Sequence, residues 1–258
     1  MPQNARLTVM KENEIYVYGK HAVAEALLYA PDTVIKKIFL APTIDDPKFL
    51  ELVHHRGITP SELSANALSG AGRDASHQGV IALIDTTALL IPLQKFLKEI
   101  DMSKNPALAL LGEIQDPHNV GAIIRSAAAF GISGVLIPKD RQAPITGAVV
   151  KASAGMAFRV PLVQIGNVNQ AVRELKDKKF WVYGLSGEGA NTVGKELFTE
   201  ASVFVVGNEA TGIREKTAEL CDVMLKIPMH PRTESLNAAV SAAIVLQEWS
   251  RQHPEALV

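Results

Sequence analysis

The chain has 258 residues, 47% of them hydrophobic and 21% charged; that is enough apolar material for one large domain or two modest ones, and it excludes a disordered or collagen-like chain. Its 26 basic and 27 acidic residues leave a net charge of −1, so no general attraction for polyanions exists and any nucleic-acid contact must come from a local patch. The single cysteine, Cys221, excludes an internal disulfide and a cysteine-built zinc site.

In chain order, residues 1–14 read as a polar start without the apolar core of a signal peptide. No apolar run approaches the ~20 residues of a membrane span, so a cytoplasmic location is expected. The stretch from Tyr16 to Leu27 reads as a turn leading into a short helix. A strand is expected over 34–40 and a helix over 45–55, closed by Gly57. After Ser76-His77-Gln78 a further strand is expected over 79–84. These elements make a small α/β unit over 1–85. Residues 86–105, with Pro92, Asn105 and Pro106 in or beside them, read as a partly helical linker. From Ala107 strand-length apolar runs alternate with helical segments, the strands falling at 107–114, 134–138, 160–165, 180–186, 202–207 and 223–228. Continuous runs such as Leu108 to Leu111 and Val203 to Val206 suit strands buried on both faces, as in a parallel sheet flanked by helices. The expected fold class is α/β, with a second domain over 106–258.

Three segments carry candidate chemistry. In the first, Asp116-Pro117 is a helix start, with a carboxylate cap and proline at the first helical position. Asn119 then falls in the first turn, and Arg125 leans back over the bare turn at Gly121. A guanidinium above a glycine suits an approaching phosphate; a packing glycine and a solvated arginine fit the same residues. In the second, the buried strand 203–206 runs into Gly207-Asn-Glu-Ala-Thr-Gly212, holding Glu209 at a loop tip where α/β sheets usually bind ligands; an ordinary βα loop fits too. In the third, Ser235 is a plausible N-cap for the apolar helix 238–249, putting Leu236 and Asn237 in its first turn. Lys139, Arg141, Lys151 and Arg159 form a candidate basic patch. Cys221, in an apolar-leaning stretch, reads as a buried structural thiol. Gly189 to Lys195 has the spacing of a phosphate loop, but Glu196 stands where a magnesium-binding Ser or Thr is needed, so the loop is rejected, and a nucleotide-dependent α/β enzyme, which would bind ATP, rests on it alone. His54, His55 and His230 have no partners at metal-ligand spacing, and no metal is expected.

Together the three segments resemble the signature of the SpoU (TrmH-type) branch of the SPOUT methyltransferases: asparagine, glycine and arginine, then glycine–x–glutamate–x–x–glycine, then serine–leucine–asparagine. Tyr18 to Leu27 and His77-Gln-Gly79 are similar to an N-terminal RNA substrate-binding domain of bacterial members, and with Pro138 to Arg141 the layout is most similar to members that methylate a guanosine ribose in large-subunit ribosomal RNA. The resemblance implies S-adenosylmethionine as methyl donor, a trefoil knot in the catalytic domain, and a homodimer with active sites near the subunit interface. It implies donor contacts at Leu185, Gly207, Ile227 and Leu236, and catalytic or motif roles for Asn119, Arg125, Glu209, Ser235 and Asn237. The chain departs from the family pattern after Asn237, where Ala238 and Ala239 replace valine and serine, and in the bulkier loop 230–234.

The implied reaction is an in-line attack of a ribose 2′-oxygen on the donor methyl, without a metal. A guanidinium holds its proton too strongly to act as a ready base, so Arg125 is expected to grip the neighbouring phosphate and stabilise the developing oxyanion. Lys20, His21 and Arg232 are the expected RNA contacts. The alternatives are a transfer-RNA 2′-O-methyltransferase and an RNA-binding module without activity on the same scaffold.

Overall fold

The structure, a computed structural model, describes residues 13–63 and 77–257. The polar start expected over 1–14 lies, up to residue 12, outside the described residues, as does Ser76. The chain divides into two compact units, Met1–Leu90 with Ile145–Arg159, and Ile91–Pro144 with Val160–Val258.

The first unit contains β1 (Glu14–Tyr18), α1 (Lys20–Tyr29), β2 (Ile35–Leu40), α2 (Pro47–His55), β3 (Ser61–Glu62), β4 (Val80–Asp85) and α3 (Thr86–Leu89). Its sheet has the order β1-β4-β2-β3. Strand β4 is central because its first five residues are all buried, and β1 and β2 pair antiparallel on either side of it. Helix α2 begins and ends as its residues dictate: Asp46 accepts from the Phe49 amide, Pro47 opens the helix, and Gly57 turns the chain at φ +63. Its buried residues, Phe49 and Val53, are four apart on one face. The turn expected before α1 is a strand; β1 exists through its register against β4, from Glu14 opposite Asp85 to Tyr18 opposite Ile81, a pairing no local pattern announces.

The second unit is built on β5 (Leu90–Pro92), α4 (Leu93–Glu99), β6 (Ala107–Gly112), α5 (Pro117–Ala129) and β7 (Gly134–Pro138). After α6 (Gly147–Ala152), which belongs to the first unit, come β8 (Leu162–Ile165), α7 (Val168–Asp177), β9 (Trp181–Leu185), β10 (Asn191–Thr192), β11 (Ser202–Gly207), α8 (Glu215–Ala218), β12 (Val223–Lys226) and α9 (Ala238–Gln252). Eight strands form one sheet in the order β10-β12-β9-β11-β6-β7-β8-β5, and the pairings from β10 through β8 are parallel. The alternation of side chains along β6 and β11 explains their unbroken apolar runs. Leu108, Leu110, Val203 and Val205 join Phe96, Val172 and Leu175 in one core, on the side of α4 and α7. Helices α5 and α9 pack together, and α9 also packs on β11. Every residue of β6 before Gly112 is therefore buried. Among the described residues no helix is long and apolar enough to cross a membrane.

Two sequence expectations need correction. The stretch 86–105 is not a free linker: Leu93, Phe96 and Leu97 form an apolar face at helical spacing and lie in the core of the second unit, and β5 edges its sheet. The segment Ile145–Arg159, expected within the domain 106–258, groups with the first unit. Gly147 lies so close against the Tyr16 carbonyl oxygen that any side chain there would collide with it. The basic patch consequently divides, with Lys139 and Arg141 in one unit and Lys151 and Arg159 in the other. Cys221 is half-buried, with Sγ 3.4 Å from the Thr217 carbonyl. Burial, aided by Asp222 and opposed by Lys176, pushes its thiol up to about 11, so at neutral pH it is a poor nucleophile. Gly189, from the rejected phosphate loop, packs on backbone: an added Cβ would stand 2.6 Å from the Leu225 carbonyl carbon.

Candidate active site

Three segments at the carboxyl ends of β9, β11 and β12 line one cavity of about 510 Å³, the place where parallel α/β sheets usually take ligands. Its wall comprises residues 185–187, 206–213 and 234–236, with Met224, Leu225, Ile227, Met229, Ala238 and Ser241 among the rest. Leu185, Gly207, Ile227 and Leu236, the four expected donor contacts, all lie on this wall, as do Glu209 and Ser235.

The loop after β11 is held in shape by its own polar groups. The Asn208 amide donates to the Gly212 carbonyl at 3.0 Å, and the Gly212 amide donates back at 2.9 Å. The Asn208 side-chain oxygen accepts from the Ala210 and Thr211 amides, and its Nδ2 donates to the Glu113 carbonyl at 2.8 Å. Gly212 takes φ +66 to close this turn. Asn208 was not singled out from sequence, although asparagine at the head of a glycine-bounded turn is a recognised signal for side-chain capture of the next amides. Met224, Met229 and Ser241 on the cavity wall carry no such signal.

The three motif segments meet in a chain of hydrogen bonds. Asp116 caps α5 through the His118 amide, with Pro117 at its first position, and so delivers Asn119 to the buried side of the first turn. The Asn119 Nδ2 donates to Glu209 Oε1 at 2.9 Å, and Asn237 Nδ2 donates to Asn119 Oδ1 at 2.9 Å. Asn237 Oδ1 accepts from the Ala239 and Val240 amides at 2.9 and 3.2 Å. These bonds determine one another. The α9 amides can only donate, so Asn237 must present its oxygen to them and its NH2 to Asn119. Asn119 must then turn its own NH2 to the carboxylate. Desolvation raises the Glu209 pKa, but the hydrogen bonds from Asn119 and from the Gln115 and Asp116 amides outweigh it and hold the carboxyl below its ordinary value. A lowered carboxyl pKa adds stability that is present above the unfolded value and is lost as pH falls through the folded one.

Here the expected cap of α9 is corrected: Asn237, not Ser235, is the N-cap, and Ser235 is exposed two residues upstream. The chain stays extended through Asn237, and its amide group both receives the helix N–H groups and donates to Asn119, which a hydroxyl at 235 does not do. Replacing Asn237 by alanine is expected to cost about 2 kcal/mol, roughly 1 from the lost cap and the rest from the unpaired Asn119 oxygen. Urea melting at pH 7 measures it; a change under 0.5 kcal/mol would remove the relay as a structural element.

Arg125 stands apart. It is exposed on α5, outside the cavity wall, and makes no hydrogen bond or ion pair within the described residues. Arg232 is exposed, its amide hydrogen-bonded to His230 Nδ1 at 3.2 Å. Lys20 pairs with Asp46 at 2.7 Å, and His21 is exposed beside it at the start of α1. Among the described residues no group of three or more His, Cys, Asp or Glu is placed to hold a metal ion.

Comparison with known proteins places this geometry. Residues 106–247 match the SpoU rRNA Methylase family, and residues 16–88 match the RNA 2′-O ribose methyltransferase substrate-binding family. The chain is 34% identical to the 23S rRNA (guanosine-2′-O-)-methyltransferase RlmB of Vibrio vulnificus over 92% of its length and 96% of that relative. It is 37% identical to RlmB of Photobacterium profundum, over 92% of its length and 97% of that relative. The solved SpoU methyltransferase AviRb from Streptomyces viridochromogenes shares the fold, with a TM-score of 0.78 at 22% identity, covering 93% of this chain and 90% of that one. The three motifs, the α/β sheet that brings them together and these matches have one meaning: the chain belongs to the SpoU rRNA methylase family.

Proposed function

We propose that the chain transfers a methyl group from S-adenosylmethionine to a guanosine ribose 2′-hydroxyl in 23S ribosomal RNA, in the cytoplasm, with the first unit as RNA-binding domain and the second unit as catalyst. The observation that carries this is the Glu209–Asn119–Asn237 relay beside a cavity whose wall holds all four expected donor contacts. The relatives named for 23S rRNA guanosine methylation match over nearly the whole chain and supply the substrate.

The cavity fits the donor. Leu185, Ile227 and Leu236 offer apolar walls for an adenine ring, and the close backbone at Gly207 and Gly212 leaves main-chain groups to meet its polar edge. Bound there, S-adenosylmethionine supplies a methyl group on a positively charged sulfur. The chain's own residues do the remainder. Asn119 and Glu209 brace the loop after β11, Asn237 ties that brace to α9, and Ser235 lies on the wall for the ribose or the donor carboxylate. Arg125 grips the phosphate beside the reacting sugar and stabilises the oxyanion as the 2′-proton passes to solvent water. The family's trefoil knot accords with the convergence of the three segments after β9, β11 and β12 on one cavity.

A homodimer belongs to the same reading. Helix α9 presents Val240, 47% exposed, and Ile244, 36% exposed, one turn apart beside α5, which carries Arg125. A second copy covering this face would bring Arg125 near an intersubunit site. Light scattering is expected to show a dimer for the wild type and a monomer for Ile244→Glu; a monomeric wild type removes the dimer.

The function itself is tested by incubating the protein with labelled S-adenosylmethionine and 23S rRNA transcribed without modifications, and mapping the 2′-O-methyl nucleotide. A guanosine in 23S rRNA is the expected product. Methylation of transfer RNA alone, or donor binding without transfer, overturns the assignment.

A further inference from the structure

The first unit holds an arrangement that methyl transfer leaves unused. Glu25 on α1 is buried, its side chain 7% exposed, and it accepts two hydrogen bonds from Arg159, from Nε at 2.6 Å and from Nη2 at 3.0 Å. Gly155, at φ +81, permits the approach: a Cβ there would stand 2.8 Å from Glu25 Cβ and Cγ. A two-pronged contact of this kind fixes the plane of the guanidinium. The guanidinium lies over the Tyr29 ring, with Cζ 4.1 Å from its centroid.

Tyr29 nevertheless keeps 48% of its surface in solvent. One face of the ring is taken by the guanidinium, which leaves the edge and the other face as the surfaces a ligand could meet. Leu28 beside it is 50% exposed, and His21, exposed, sits one turn before Glu25 on the same helix. A buried carboxylate is a costly way to hold a surface arginine, since it must be stripped of water. What it secures is a flat cation and a flat ring already ordered, with little rotamer entropy left to lose on contact. The ligand such a surface suits is itself flat and belongs to an anionic chain. Unpaired RNA bases fit both terms, because they stack on aromatic rings and arginine planes while the guanidinium attracts the backbone.

We propose that Tyr29 and Arg159, set in place by Glu25, form a stacking platform for an unpaired base of the RNA substrate. This rests on the reading of the chain as an RNA-modifying enzyme and says where the first unit grips that RNA. The substrate-binding match covers residues 16–88 and so includes Tyr29 but not Arg159, which reaches the platform from the separate segment Ile145–Arg159.

The test uses the full chain and two RNA probes, a hairpin with 2-aminopurine in its loop and a fully paired duplex containing the same base. Wild-type protein is expected to bind the hairpin more tightly and to quench the fluorescent base by stacking. Tyr29→Ala is expected to weaken hairpin binding about tenfold and to lose the quench, with duplex binding unchanged. Tyr29→Phe and Tyr29→Trp keep both, and Arg159→Lys, which keeps the charge without the flat fork, falls between. Unchanged melting temperatures for the Tyr29 variants exclude misfolding. Wild-type affinity and quench in Tyr29→Ala overturn the platform, as does a loss in Tyr29→Phe equal to that in Tyr29→Ala, which would assign the contact to the hydroxyl. Neither readout needs methyl transfer, so a wild type that fails to methylate rRNA strikes the proposed function and not this site.

Discussion

Replacing Arg125 by alanine is expected to lower the methylation rate by about 10²–10³-fold, the usual cost of removing one group that stabilises a developing oxyanion. Stability should hold within about 0.5 kcal/mol, because the side chain is exposed and forms no hydrogen bond or ion pair within the described residues. That contrast is the informative part. An arginine that braced the fold would lose stability and activity together, whereas one reserved for a ligand loses activity alone. Arg125→Lys keeps the charge but not the planar fork and should recover only part of the rate. Single-turnover transfer of labelled methyl to rRNA, with thermal melting beside it, separates these outcomes. Normal turnover in Arg125→Ala would sink its role as both phosphate anchor and oxyanion stabiliser.

Gly207→Ala is expected to reduce S-adenosylmethionine affinity by more than about tenfold, equivalent to ~1.4 kcal/mol. A Cβ at this position would collide with the Gly212 carbonyl carbon and stand 2.5 Å from the Ile213 amide nitrogen. Both obstacles are backbone and cannot swing aside as a side chain could. The loop they belong to is closed by the reciprocal Asn208–Gly212 bonds and tied to Glu113, so the strain would spread along the wall of the cavity. Gly212→Ala is the control. An added Cβ there meets nothing within 4 Å, but φ is +66, so it should cost about 1–2 kcal/mol of stability through backbone strain alone. Calorimetric titration with the donor measures the first effect and urea melting the second. Wild-type donor affinity in Gly207→Ala would show that the loop after β11 does not shape the donor site.

Much of this molecule is legible before folding, for reasons that stay within a few residues of each other. The strands of the large sheet show as apolar runs because both of its faces are covered, and the expected spans at 134–138 and 202–207 coincide with β7 and β11. The starts of α2 and α5 show because Asp-Pro carries both a cap and a first residue. Asn119, Glu209 and Asn237 stood out through their place in three motifs, yet nothing local said that they touch. Asn119 and Glu209 are 90 positions apart and Asn119 and Asn237 are 118; only the strand order β12-β9-β11-β6 brings together the segments that follow β6, β11 and β12.

The same limit accounts for the features that depart from the local pattern. Ser235 had the composition of a cap, but Asn237 caps α9 because its second amide hydrogen-bonding group has a partner on α5. Residues 93–97 looked like part of a linker because their burial depends on a sheet formed later in the chain. Arg159 looked like one member of a basic patch, and a buried carboxylate 134 positions away turned it into an oriented plane over Tyr29. Unfolded, the chain already specifies the α/β class, the helix starts and the family signature, since periodicity, caps and motifs are local. The relay, the true cap and the setting of Arg159 arise only on folding. Each of these is a hydrogen bond or ion pair between groups far apart in the chain, and a distant partner leaves no mark on the residues around its counterpart.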